Sequence, residues 1–433
     1  MRSGKRSPAP QRREAQRGLG HTLLQLALVL TLVGSALQDD FLLALGLGAL
    51  AFVLVARLWD SVSFVGLHYT RRFHSAASPL GGAGETRAFL GETVDLALEV
   101  RNRKVLPLTW LEVVDRVPGS LPIDDTKVLL DPVTNLGELR TFWRPGAFTN
   151  ATRHYTVHCD HRGYYDYGPV TMTTGDGFGF FRRTLRLETP QLLIVYPRIY
   201  SALELRLPSE HPFGEKASRQ YLFEDPLRTA GVREWEPADS MRRIHWPATA
   251  RRQRLLSRLY EPSQDPQVLV CLNMATLPRH WEGIVPEMLE RAISVAASLA
   301  VLCVEMRMSV GLLANGYWPG SDQVLRLMPG RSPDQLTRVL EMLAAVTGFA
   351  SRPLEEMLLR EGPRMPWGST LLVVTPIAHD ELLHALVELR KEGQRVVLFT
   401  LAEEPPAAVL PGVWVYHLPH LVEDLIVPQE VAA

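Results

Sequence analysis

Cysteine is scarce: the 433 residues hold three, Cys159, Cys271 and Cys303. An odd number without paired spacing argues against a disulfide framework or a zinc ribbon. Cys271 and Cys303 lie in apolar runs and read as small core residues, which fits a reducing compartment. Net charge is almost absent too, formally −1. No global field recruits nucleic acid, so any such role needs a local patch. There is no P-loop, no Gly-x-Ser-x-Gly elbow and no His-Glu-x-x-His helix, which removes three common signatures of hydrolytic chemistry. No internal repeat or long low-complexity segment is present. What is there is ordinary for a folded chain of two or three domains: 46% hydrophobic and 21% charged residues.

Residues 1–18 form a basic tail with Arg2, Lys5, Arg6, Arg12, Arg13 and Arg17 beside Pro8 and Pro10. Two apolar runs follow, 19–37 and 41–59, separated by Gln38-Asp39-Asp40. Each has about the 20 residues that cross a bilayer core of ~30 Å, and the short link predicts a tight transmembrane hairpin over 19–59. Basic residues precede the first run and follow the second (Arg57, Arg71, Arg72), while the link has none. The positive-inside rule then places both termini and all soluble domains in the cytoplasm, on a two-pass cell-membrane protein. A signal peptide cleaved near Gly34-Ser35-Ala36 is the competing reading; the second run would then be a stop-transfer anchor, with the same orientation for the remainder. A third apolar stretch, 292–304, is too short to span and is flanked by Glu290, Arg291, Glu305 and Arg307, so it reads as a buried helix.

After a linker over 60–86, residues 87–200 have β rhythm. In "ETVDLALEVRN", Val94, Leu96, Leu98 and Val100 share one face. Further candidate strands are 108–116, 127–130, 154–159, 169–174 and 192–195. Short strands between Pro and Gly turns suggest a β-sandwich of Ig-like character. A connecting segment over 201–262 leads to a different rhythm over 263–425, with a tail at 426–433. There "QVLVCLN", "MSVGLLAN", "STLLVVT" and "RVVLFTL" read as buried strands alternating with helices at 286–306, 333–345 and 380–392. Strands apolar on both faces predict a mainly parallel sheet covered on both sides, with "VWVYHL" as a possible edge strand.

Candidate chemistry is thin. "RHYTVHCDHRG" offers His154, His158, Cys159, Asp160 and His161, but strand alternation splits them between two faces. "TGDGFGFF" has spaced glycines with no helix after them to receive a phosphate, and reads as a turn. In "HDELLHALVE", His379 and His384 are five apart, while Glu381, His384 and Glu388 form a solvated helix face. The stretch "GVREWEPADSMRRIHWPATARRQRLLSRLYEP" is the strongest candidate. Asp239 or Ser240 can cap a helix over 240–252, interrupted or restarted at Pro247. Arg228, Arg233, Arg242, Arg243, Arg251, Arg252, Arg254 and Arg258 supply forked cations, with Glu234, Glu236, Asp239 and Glu261 to pair them. Arginine, tryptophan and carboxylate together suit an interdomain clamp or partner surface. They also suit a groove for nucleic acid or phosphate-bearing ligands over 228–258. No nucleophile–base pair is evident, so no catalytic residue is assigned.

These stretches resemble the domain-of-unknown-function-58 family of bacterial proteins, over nearly the whole chain after the anchor. "RGYYDYGPVTMTTGDGFGFF" followed by "LLIVYPR" is similar to one family signature. "VREWEPADSMRRIHWPATARRQRLLSRLYEP" is similar to another, with Arg233, Asp239, Arg242, Ile244, Trp246, Ala250, Arg251, Leu255, Arg258 and Glu261 at matching positions. Gly177, Trp235, Ala238 and Thr249 depart mildly from the usual residues. The resemblance implies a von Willebrand factor A-like fold for the α/β domain. Such domains often hold Mg²⁺ in a metal-ion-dependent adhesion site (MIDAS) built on Asp-x-Ser-x-Ser and a later Asp. Here the corresponding positions are Asn273, Ala275 and Leu277, with Thr375 and Pro376 at the later strand end. Hard cations want carboxylate oxygens, so the site is expected to be degenerate, with no metal and no cofactor. The resemblance further implies a MoxR-type AAA+ ATPase, or another protein client, as partner. The expectation is therefore a non-enzymatic, membrane-anchored adaptor with Arg233, Asp239, Arg242, Ile244, Trp246, Arg251, Arg258 and Glu261 as signature and interdomain-clamp residues. Nucleic acid is the less favoured ligand, and neither client nor oligomeric state is legible.

Overall fold

The computed structural model describes residues 12–15, 19–75, 84–124, 128–131, 136–208, 224–235, 241, 244–262, 267–277, 283–318, 324–346, 352–365, 369–406 and 410–419. The chain divides into two compact units, 1–196 and 197–433.

The first unit opens with β1 (Arg12–Ala15), α1 (Leu19–Leu37) and α2 (Asp40–Val62). Asp39 starts α2 by accepting hydrogen bonds from the amides of Phe41 (2.9 Å) and Leu42 (3.2 Å), which satisfies two of its free N–H groups. Its 23 residues, at ~1.5 Å each, rise about 35 Å. Among the described helices α2 is the one long and apolar enough to cross a membrane; the described apolar part of α1, Thr22–Leu37, is shorter. The two helices pack closely because Gly46 presents no side chain to Thr31, where an added Cβ would come within 2.8 Å of backbone. Leu26, Leu32, Phe41, Leu45 and Leu58 face outward, exposed.

The described residues of the unit form twelve strands: after β1 come β2 (Leu67–His74), β3 (Glu85–Phe89), β4 (Thr93–Asn102), β5 (Leu111–Pro118), β6 (Leu129–Asp131), β7 (Leu136–Trp143), β8 (Asn150–His158), β9 (Gly163–Tyr167), β10 (Val170–Gly175), β11 (Arg182–Leu187) and β12 (Gln191–Tyr196). They hydrogen-bond as three sheets, β1-β11-β10-β5-β7-β6, β2-β4-β8 and β3-β12-β9, with β3 and β12 parallel. Val94, Leu96, Leu98 and Val100 are fully buried, as their alternation predicts. Within the basic tail Arg12–Ala15 pairs antiparallel with Arg183–Arg186. One expectation is corrected. The 60–86 segment is not a plain linker, because β2 pairs along its length with β4.

Arg71 explains why β2 was hidden. It is one of the basic residues that follow the second apolar run, yet its side chain is 2% exposed and pairs at 2.6 Å with Asp115 on β5, itself 1% exposed. Arg71 also donates to the Gln191 side chain (2.7 Å) and to the carbonyls of Tyr167 (3.0 Å) and Thr189 (2.9 Å), while Tyr69 donates to Asp115 at 2.9 Å. Burial pushes the Asp115 carboxyl up, against the pull of the Arg71 guanidinium. One side chain thus ties all three sheets together.

The second unit begins with an antiparallel pair, β13 (Glu224–Glu234) and β14 (Leu256–Pro262), with α3 (Trp246–Arg252) between them. Then follow β15 (Gln267–Leu272), α4 (Pro286–Glu305), β16 (Ser309–Tyr317), β17 (Val324–Gly330), α5 (Gln335–Ala345), α6 (Leu354–Glu361), β18 (Thr370–Thr375), α7 (Asp380–Lys391), β19 (Arg395–Thr400) and β20 (Trp414–His417). The sheet order is β17-β16-β15-β18-β19-β20, parallel from β16 to β20 and closed at one edge by antiparallel β17. Leu269, Cys271, Leu371 and Val373 pack with Leu358 of α6 and Leu386 of α7. The alternate residues Val268, Val270 and Leu272 are also buried, so both faces are covered, as doubly apolar strands require. The 292–304 stretch lies within α4, buried along most of its length.

Candidate functional site

From β15 the chain moves to β16 and β17 on one side, then crosses to β18 on the other. The carboxyl ends of β15 and β18 therefore flank the switch point where open parallel sheets place their ligands. Three polar residues meet there, each at the end of an apolar run: Asn273, Asn315 and Thr375, all buried. The Asn273 amide donates to Thr375 Oγ1 at 3.0 Å. Its Oδ1 accepts from the Ala275 amide (3.1 Å) and from Asn315 Nδ2 (3.0 Å). Asn315 also donates to the Arg352 carbonyl (3.0 Å) and accepts from the Met274 amide (2.7 Å). The Thr375 hydroxyl donates to the Ile377 carbonyl. Beside them Thr276 accepts from the Val285 amide at 2.7 Å, fastening the start of α4.

This donor set does not fit a divalent cation. A hard ion needs free oxygens, several of them carboxylate, whereas both lone pairs of Asn273 Oδ1 are engaged and its neighbours are amide and hydroxyl. Ala275 and Pro376 are buried and apolar, and Leu277 is half-buried. Among the described residues no three His, Cys, Asp or Glu side chains cluster as metal ligands. Asn315 escaped the sequence reading; its one signal was a polar residue closing "MSVGLLAN" as Asn273 closes "QVLVCLN".

The arginine-rich signature is built around β14. On one side Glu234 and Arg233 of β13 pair with Leu256 and Ser257; on the other, Ile244 bridges Ser257 and the His245 amide donates to Leu256 (2.8 Å). Ile244 and Leu256 are buried. Of the two readings of Pro247 the restart holds: α3 starts at Trp246, capped by His245 Nδ1 accepting from Ala248 (3.1 Å), with Pro247 in the first turn. Proline suits that position because its missing N–H would be unpaired anyway, so it begins this helix instead of breaking one. Trp246 is 64% exposed and Arg251 is exposed, while Arg233 and Arg258 are half-buried. Arg254 pairs with Glu234 at 3.1 Å on the surface. Asp239 and Arg242 lie outside the described residues, as does the Glu261 side chain.

The histidine run does not converge. His154 faces Asp95 (3.0 Å) and His158 faces Asp124 (2.7 Å), while Cys159 is buried, its thiol pushed up to about 12 first by burial and then by Glu92.

An apolar helix long enough to span a bilayer, a β-rich unit of several sheets and a mixed sheet with parallel strands define the class. The model of the family described as "Protein of unknown function DUF58" matches residues 231–398, from the end of β13 into β19. A protein of Bacillus subtilis (strain 168) described as "Uncharacterized protein YeaD" is 23% identical over 326 residues, 75% of each chain. Over that region the chain is similar to the DUF58 family. Among solved structures, the CARDB domain of a Pyrococcus furiosus protein covers 30% of this chain and 90% of its own at 9% identity, with a TM-score of 0.18. An exo-β-N-acetylglucosaminidase of Vibrio harveyi covers 81% and 78% at 9% identity and a TM-score of 0.21. Scores of that size carry no argument about fold or activity.

Proposed function

We propose that this protein is a non-enzymatic, membrane-anchored adaptor, whose α/β unit is a degenerate von Willebrand factor A-like domain that engages a MoxR-type AAA+ ATPase or another protein client. The observation that carries the reading is the closed Asn273–Asn315–Thr375 network. At the switch point it sets neutral groups that satisfy one another, with no carboxylate among the described residues that form the network. The strand order with antiparallel β17 at one edge agrees with the A-type reading, and the strand-rich first unit with an Ig-like sandwich. For the membrane, we favour a two-pass hairpin with both termini and the soluble units in the cytoplasm. Supporting it, β1 precedes the hairpin and β11 follows it, and the two pair in one sheet. No specific observation favours the nucleic-acid alternative.

The outward Trp246 and Arg251 suit a partner surface, since exposed tryptophan and arginine are the side chains that anchor interfaces. Cross-linking in native membranes, purification through a carboxyl-terminal tag and mass spectrometry should enrich an AAA+ ATPase over a tagged control membrane protein. Trp246→Ala with Arg251→Ala should abolish that enrichment while changing stability by no more than about 0.5 kcal/mol, as expected for exposed positions. Recovery of nucleic acid without any ATPase would sink the adaptor reading.

A further inference from the structure

The "TGDGFGFF" run, with no role in the switch-point cluster, joins β10 to β11 as a compact loop over 176–181. The Phe181 amide donates to Asp176 Oδ1 (2.8 Å) and the Asp176 amide to the Phe181 carbonyl (3.3 Å). Gly179 sits at φ +82°, a left-handed conformation that other residues adopt at a cost. This closure aims two aromatic rings away from the sheet. Phe178 and Phe180 stack at 5.9 Å, and both meet Phe52 of α2 edge-on, at 4.8 and 6.1 Å. Phe178 is still 64% exposed after that contact. Phe180 also borders an apolar crevice of about 180 Å³ shared with Leu26, Leu30 and Val53 of the helices.

The loop is held at a definite level along α2. Arg183, two residues past Phe181, pairs with Asp60 at 2.7 Å. Lys104 donates to the carbonyls of Val62 (2.7 Å) and Ser63 at the end of the same helix. Exposed Arg57 and half-buried Trp59 are the residue types that mark a headgroup level. Phe52 lies about five residues further into the helix, ~7.5 Å along its axis at ~1.5 Å per residue. That is the depth, ~5–10 Å, at which interfacial apolar groups settle between headgroups and acyl chains. Arg103 and Arg182, exposed beside the anchoring contacts, supply the positive charge that anionic headgroups attract.

We propose that the 176–181 loop is a membrane wedge: Phe178 and Phe180 enter the acyl boundary of the leaflet beside α2, phospholipid chains fill the apolar crevice, and the β-rich unit is seated on the bilayer. The proposal rests on the reading of α2 as a membrane span. The occupant is lipid because the exposed Phe178 ring is continuous with apolar helix surface, Leu45, Phe52 and Val55, that is itself exposed among the described residues. A rigid aromatic tip binds with little ordering cost, since the hydrogen-bonded loop holds it in place beforehand.

Single cysteines placed in the full chain test it, because Cys159, Cys271 and Cys303 are all buried and resist labelling. Phe178→Cys, Leu47→Cys and Glu188→Cys would each carry an environment-sensitive dye, in vesicles of phosphatidylethanolamine and phosphatidylglycerol with brominated acyl chains. Position 47 reports the span, and position 188 the far end of β11. Quenching at 178 comparable to that at 47, with none at 188, is the expected result. Quenching at 47 without quenching at 178 overturns the wedge and leaves the span intact. No quenching at 47 removes the membrane reading, and the wedge with it.

Discussion

Each unit buries a polar cluster, and the two are opposites. In the β-rich unit, Arg71 and Asp115 carry full charges at 2.6 Å, walled in by strands. In the α/β unit, Asn273, Asn315 and Thr375 carry none, though they sit where a parallel sheet offers a ligand its place. A buried charge costs several kcal/mol to desolvate and is tolerated when every donor and acceptor is used. Arg71 meets that condition by reaching three sheets. The neutral cluster avoids the cost altogether, at the loss of any power to hold a cation. The lesson is that burial of polar groups says little about function until charge and satisfaction are counted together.

The largest effect should come from breaking the charged cluster. Arg71→Met strands the Asp115 carboxylate and should cost about 3–5 kcal/mol, read by denaturant unfolding of the full chain in mild detergent. The double variant Arg71→Met with Asp115→Leu should recover most of that loss, because matched apolar side chains replace a buried pair at little cost. If the double variant is as unstable as the single one, the pair does more than neutralise itself.

Asn273→Asp sharpens the contrast by putting a carboxylate into the neutral cluster. An oxygen then replaces the donor that Thr375 accepts from, with no cation chemistry around it. A loss of about 2–3 kcal/mol is expected, the range for an unsatisfied buried group with some charge. Burial raises the new carboxyl's folded pKa, so the loss should deepen as pH rises above the ordinary carboxylate value of about 3.9. Mg²⁺ should restore nothing; a Mg²⁺-dependent rise in melting temperature would mean that the site is one substitution from function.

How much of this could be read in advance depended on whether the signal was local. The face of β4 and the runs of β15, β18 and β19 declare themselves by period and composition. β2 does not: "LHYTRRFH" turns an arginine inward, and only the fold supplies Asp115 forty-four residues away. Asn273 was legible as a lost carboxylate, but its partner Asn315 depended on β16 lying beside β15, which is a matter of strand order. Pro247 left interruption and restart both open, because a proline inside a polar stretch looks the same whether it starts a helix or stops one.

His379 lies between the two extremes, because its charge can be switched. Its Nε2 is 3.3 Å from Glu355 Oε2, both side chains being largely covered, and the contact joins the start of α7 to the first turn of α6. Glu355 chiefly raises the imidazole pKa by hydrogen bonding, burial lowers it, and the nearby charges of Glu355, Glu381 and Asp380 raise it further. A folded-state value above the unfolded one, about 6.5, means that the protonated pair stabilises fully at pH below the unfolded value. That contribution is lost as pH rises through the folded value. At most about 1 kcal/mol is at stake, as for a partly covered ion pair. His379→Gln should therefore flatten the decline in stability that sets in as pH rises above about 6.5, and leave the alkaline end unchanged. If the slope survives in the variant, the titrating group lies elsewhere, and this contact behaves like the neutral cluster after all.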